Sequence, residues 1–136
     1  MPTLFSRIVS GELQAHKVAE TNDFLAFMDV RPLRAGHVLV IPKKETDYLF
    51  DIEDELYIGL WVFAKIVAQG VKEAFPCPKV GVAVIGLEVN HAHIHLIPIQ
   101  NVGDMDFSKP KLEPSAEDLA EHAAKIKQAI LDRTST

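Results

Sequence analysis

His91-Ala92-His93-Ile94-His95-Leu96-Ile97 is the stretch on which the reading of this chain turns. In an extended strand, side chains two apart share a face. The alternation therefore puts His91, His93 and His95 in a row on one side and Ala92, Ile94 and Leu96 on the other. The apolar side reads as a buried strand face, and a row of three imidazoles opposite it has no evident packing purpose. Alternating histidines can also chelate zinc. At a rise of about 3.3 Å per residue, however, His91 and His95 start about 13 Å apart, against zinc–nitrogen bonds of about 2 Å. At most two of them can share one ion, and a metal site would need further ligands from His37, His16 or an acidic residue.

Upstream of the row, Val80 to Ile85 is rich in β-branched residues and reads as another strand. From about Ile52 to Phe75, the residues Leu56, Leu60, Phe63, Val67 and Val71 recur at three- and four-residue steps, which marks a long amphipathic helix ended by Pro76. His37 to Ile41 is an almost continuous apolar run stopped by Pro42, as in a buried strand, and it follows a loop from Arg31 to Gly36. Val18 and Phe24 to Met28 flank the Asn22-Asp23 turn as a hairpin, and Phe5 to Val9 reads as a short helix closed at Gly11. Downstream, Asn101 to Pro114 is a loop or arm. Ser115 and Asp118 then resemble a capping box that opens a last helix, with Leu119, Ile126 and Ile130 as its apolar stripe. An antiparallel sheet of about five strands with segregated helices makes an α+β domain.

The chain has 136 residues, 48% of them hydrophobic, which fits a single domain over 1–136 with a core of its own. Its formal net charge is −5, so neither a nucleic acid polymer nor an acidic membrane is an expected partner. Any attraction for a phosphate compound must be local. The single cysteine, Cys77, excludes an internal disulfide and agrees with a reducing compartment. Met1 to Ser10 carries no long apolar run behind a basic start, and Tyr57 to Val71 is interrupted by Lys65 and Gln69. The expected location is the cytoplasm.

The stretch His91 to Ile97 resembles the His-apolar-His-apolar-His-apolar-apolar signature of the histidine triad (HIT) superfamily. Upstream, Phe5-Ser6-Arg7-Ile8 with Gly11-Glu12, then Ala26-Phe27-Met28-Asp29, then Gly36-His37-Val38-Leu39-Val40-Ile41-Pro42-Lys43-Lys44, are similar to the amino-terminal half of HIT proteins in order and spacing. The likeness leaves a carboxy-terminal arm and helix, 99–136, outside the core motif. It implies a HIT-like sheet and a nucleotide hydrolase or nucleotidyl transferase, acting at the α-phosphate of a nucleoside phosphoramidate or related nucleotide adduct. By the same resemblance His93 is the nucleophile that forms a covalent nucleotidyl-histidine, its second ring nitrogen bonded to the carbonyl of His91. Neutral imidazole at cellular pH suits that role. His91, His95 and His37 flank the phosphate. Phe5, Ile8, Phe27 and Val30 correspond to the apolar slot for the nucleobase, although each is also a good core residue. Asp29 corresponds to the carboxylate that binds the ribose hydroxyls. The implied partners are a mononucleotide-type small molecule and a second copy of the chain, joined through the long helix and an adjoining strand. No cofactor is implied.

Two departures from the family stand out. Many HIT proteins hold a structural zinc through two amino-terminal cysteines, a histidine after the Pro-Lys-Lys segment and the first triad histidine. At the first three positions this chain has Thr3, Ser6 and Glu45. Without thiolates no structural zinc is expected. Before the triad, where the family commonly reads Gly-Gln-Ser/Thr-Val with polar side chains on the phosphate or leaving group, the chain reads Gly86-Leu87-Glu88-Val89. Glu88 either points away from the site or faces a leaving group that is an amine or a cation. The alternatives to the phosphoramidate reading are a nucleotide-binding regulator with little turnover, a dinucleoside polyphosphate hydrolase and a metal-dependent hydrolase.

Overall fold

The computed structural model describes residues 2–134; Met1, Ser135 and Thr136, the ends of the expected 1–136 domain, lie outside the described residues. Its centre is formed by the two most apolar runs, β2 (Phe24–Met28) and β3 (Val38–Pro42), which pair antiparallel along their length and are buried at every position. Burial on both faces explains why neither run alternates with polar residues. β1 (Lys17–Glu20) forms a hairpin with β2, closed by Thr21, whose Oγ1 accepts from the amides of Asp23 at 3.3 Å and Phe24 at 3.1 Å. β4 (Lys79–Ala83) and β5 (Ile94–Ile99) complete a five-stranded antiparallel sheet of order β1-β2-β3-β5-β4. The architecture is α+β.

The two faces of the sheet have different covers. Ala26, Met28, Val38, Val40, Ile94 and Leu96 join the main core beneath the long helix α2 (Asp54–Ala74) and the last helix α3 (Ala116–Thr134). On the opposite face Leu25, Phe27, Leu39 and Ile41 pack with Phe5 and Ile8 of the short helix α1 (Leu4–Val9). The expected cap of the last helix forms: Asp118 N–H donates to Ser115 Oγ at 3.0 Å and Ser115 N–H to Asp118 Oδ2 at 3.4 Å. α3 lies on α2 of its own chain. The two helices meet where Gly70 has no side chain, since a Cβ there would collide with Ile130.

Three boundaries differ from expectation. α2 begins at Asp54 because Ile52 is still extended, with φ −70° and ψ 133°. β4 ends at Ala83, and the chain turns away through Gly86 at φ 72°. The strand expected over His91 to Ile99 begins only at Ile94. The alternation of faces survives, but His91 and His93 precede the sheet. Ala92 N–H, at 2.7 Å from Thr46 O, is bonded to a loop carbonyl, so this stretch does not start on the sheet ladder.

Candidate active site

Leu39 of β3 stands directly opposite His95 of β5, which puts the triad on the face covered by α1 rather than by the long helices. There His37, His91, His93 and His95 are all buried, none more than 8% exposed. Four imidazoles inside an apolar layer must satisfy one another and the backbone. Their hydrogen bonds form two chains whose protons can be placed from the partners alone.

The first chain starts at an amide. Leu33 N–H donates to His37 Nδ1 at 3.1 Å, so in the neutral ring the proton is on Nε2. His37 Nε2 lies 2.9 Å from His95 Nδ1, which accepts, and His95 then carries its own proton on Nε2. Burial keeps both rings neutral: desolvation pushes His37 down to about 3 and His95 down to about 4.

The second chain starts at a carbonyl. Pro42 O can only accept, so His91 Nε2, 2.8 Å away, is the protonated nitrogen. His91 Nδ1 therefore accepts from Thr3 Oγ1 at 2.9 Å, and Thr3 Oγ1 in turn accepts from Ser6 N–H at 3.0 Å. Burial also lowers the pKa of His91. One residue on, His93 Nδ1 donates to the carbonyl of His91 at 2.7 Å, which leaves the lone pair on Nε2. The rings of His93 and His95 lie 4.9 Å apart, centre to centre. The chains thus end side by side, His93 with Nδ1 donating and Nε2 outside these hydrogen bonds, His95 with its proton on Nε2.

Around this pair the structure brings together most of the residues expected there. Phe5, Ile8 and Phe27 share one apolar cluster with Val89 packed against it, and the Phe5 ring meets the His93 ring edge-on at 4.9 Å. Val30 is not part of the cluster; it is 59% exposed. Asp29 follows β2, with Oδ1 accepting from Arg31 N–H at 2.9 Å and Oδ2 lying 3.6 Å from His37 Nε2. Its burial raises its pKa above the ordinary aspartate value. Glu88 is exposed, yet its charge contributes to that same rise, so it lies on the side of the site.

The donor set at the amino terminus does not fit a structural zinc. Thr3 and Ser6 offer hydroxyls, Glu45 Oε1 accepts from Thr3 N–H at 3.0 Å, and both nitrogens of His91 are taken by Thr3 and Pro42. A hydrogen-bonded clasp occupies the place of the metal site. Separately, Asp29, His37 and His95 each offer one ligand atom within 4.8 Å of the others, the grouping that the metal-dependent alternative would require. Thr3 as the partner of His91 and Leu33 N–H as the start of the first chain were not found from sequence. Thr3 stood out only as a missing cysteine, and a backbone amide leaves no residue signal.

The HIT domain profile matches residues 10–102. The chain is 34% identical over 96 residues to the adenosine 5'-monophosphoramidase HNT1 of Saccharomyces cerevisiae, covering 70% of this chain and 61% of the yeast protein, so it spans under two thirds of that relative. It is 32% identical over 102 residues to the adenosine 5'-monophosphoramidase hnt1 of Schizosaccharomyces pombe, covering 74% of this chain and 73% of the other. A solved Zn-bound histidine triad family protein from Mycobacterium smegmatis superposes with a TM-score of 0.84 at 28% identity, covering 97% of this chain and 95% of that one.

Proposed function

The chain belongs to the HIT domain family, and from that premise we propose that it hydrolyses a nucleoside 5'-phosphoramidate through a nucleotidyl intermediate on His93. The observation that carries this reading is the fixed tautomer of His93, whose Nδ1–H is held on the His91 carbonyl at 2.7 Å. Nε2 attacks the α-phosphorus, the phosphorus–nitrogen bond breaks, and its electron pair leaves with the amine, which takes a proton from water. The histidine is then a cationic phosphorylated imidazolium and a good leaving group. Water next bonds to phosphorus, Nε2 departs with its electron pair, and the water proton goes to solvent, releasing the nucleoside monophosphate. His95 Nε2–H is placed to donate to a phosphoryl oxygen as charge builds there. Phe5, Ile8, Phe27 and Val89 form the base slot, Val30 lies at its rim, and Asp29 takes the ribose hydroxyls. Glu88, exposed and with a charge that is felt at Asp29, is the residue to meet an amine leaving group.

The test is incubation with adenosine 5'-phosphoramidate, following AMP release and the mass of the intact protein after acid quench. Wild type is expected to release AMP and to carry one nucleotidyl group per chain, and His93→Ala to lose about a thousandfold or more in rate. Turnover in His93→Ala near the wild-type level would sink the mechanism. The grouping of Asp29, His37 and His95 favours a second reading, a metal-dependent hydrolase, which predicts that a chelator abolishes activity. The covalent reading predicts no effect.

The working unit we propose is a homodimer, in the cytoplasm. In support, β4 is an edge strand, and Ile58, Val62 and Ile66 form a stripe along α2 that is exposed by 62%, 54% and 39%. Val82 of β4 is exposed by 49%. An apolar stripe near an open sheet edge is a surface that calls for cover. No helix among the described residues is long and apolar enough to cross a membrane.

A further inference from the structure

The neutral rings of His37 and His95 leave a question of charge. A nucleotide phosphate entering an apolar cleft loses hydration, and rings held at about 3 and about 4 bring no positive charge to offset that loss. The segment after β5 supplies it.

Residues 100–114 fold back onto their own chain and are tied at both ends to the loop that precedes β3. Asp104 Oδ2 accepts from the amides of Gln100 at 2.7 Å and Asn101 at 3.2 Å, while Oδ1 meets the Arg34 guanidinium at 3.0 Å. At the other end Leu112 N–H donates to Pro32 O at 2.9 Å. The chain between these ties lies against the histidines. Phe107 sets its ring edge-on to His95, with centres 4.8 Å apart, and to His37 at 6.4 Å. Lys111 is half-buried, its ammonium 6.0 Å from the centre of the Phe107 ring. It donates to the carbonyls of Phe107 and Lys109, and its charge is felt at Asp29, His37 and His95 together. An ammonium has three N–H donors, so two held by carbonyls leave one to turn to an anion.

We propose that Lys111 is the cation that binds the phosphate of the nucleotide, with Phe107 fixing the arm that presents it across His95. The inference rests on the nucleotide reading given above. The arm thereby becomes a wall of the cleft, although it follows the triad in sequence and belongs to neither the sheet nor the apolar slot. An ion pair in a half-buried place is screened less than one at the surface, so the contribution is large enough to measure.

The experiment compares AMP with adenosine, by calorimetric titration of wild type, Lys111→Gln and Lys111→Arg. Lys111→Gln is expected to weaken AMP binding about tenfold and to leave adenosine binding unchanged, with Lys111→Arg close to wild type. The affinity for AMP should also depend less on salt in Lys111→Gln than in wild type. Wild-type affinity for AMP in Lys111→Gln overturns the inference. So does an equal loss for AMP and adenosine, since Lys111 would then only hold the shape of the arm. A wild-type protein that binds adenosine and AMP equally well overturns it too. One that binds neither removes the nucleotide reading, and this inference falls with it.

Discussion

Thr3 and Pro42 grip the His91 ring from its two nitrogens, and the carbonyl of the same residue aims His93. Removing the Thr3 hydroxyl leaves His91 Nδ1 buried without a donor. Thr3→Val is therefore expected to lower kcat about tenfold with KM little changed, and Thr3→Ser to restore it. An ¹⁵N spectrum of the ring nitrogens should keep the His91 proton on Nε2, where Pro42 O holds it, and shift the Nδ1 resonance in Thr3→Val only, as that nitrogen loses its donor; an unchanged kcat would remove Thr3 from the account. The same burial has a cost in acid. Unfolded histidines titrate near about 6.5, whereas in the folded chain His37 is held at about 3 and His95 at about 4. A histidine with a depressed pKa is protonated first in the unfolded chain. Stability therefore rises with pH from the folded values up to about 6.5, and is lost as pH falls through that window. Each ring contributes a slope of up to about 1.4 kcal/mol per pH unit. Urea unfolding at several pH values between 7 and 4.5 should show the decline, and His37→Gln should flatten it. Equal slopes in the two proteins would mean the pair is not buried neutral.

At the scale of elements, α2 and α3 hold the sheet from the face opposite the histidines, and α1 covers the face that carries them. α2 and α3 meet at Gly70, where any side chain would strike Ile130. Gly70→Ala is expected to destabilise the fold by about 1–3 kcal/mol through overpacking, measured by urea unfolding, with kcat per folded molecule unchanged. A stabilised variant would show that the contact has room. The elements themselves were largely legible, because α2 and β2 to β5 carry their periodicity or their apolar runs in plain view. His91 and His93 were the exception. Alternation predicts a strand for them, but their ring bonds go to Pro42, Thr3 and each other, Ala92 between them bonds Thr46 O, and no pattern of side-chain polarity encodes those partners. Lys111 and Phe107 were invisible for a related reason. Their place depends on ties between distant loops, Asp104 to Arg34 and Leu112 to Pro32.

For the whole molecule, the α2 stripe and the β4 edge set the expected assembly. Val62→Glu puts a charge in the middle of the stripe formed with Ile58 and Ile66, and is expected to convert a dimer to a monomer in sedimentation without loss of helix content. A wild-type protein that sediments as a monomer would reject the dimer directly. A cavity of about 420 Å³ lined by Tyr48, Phe50, Ile85, Leu87 and Ala92 has none of the four site histidines in its wall and adds to the open apolar surface. The HIT domain profile covers residues 10–102, yet Thr3, Phe5 and Ile8 come before it and Phe107 and Lys111 after it. A chain trimmed to the recognisable stretch would keep all four histidines of the site and lose the hydroxyl that orients the first triad member. The border of the family profile and the border of the proposed site are different lines, and mutational surveys or minimal fragments designed on the first would misjudge the second.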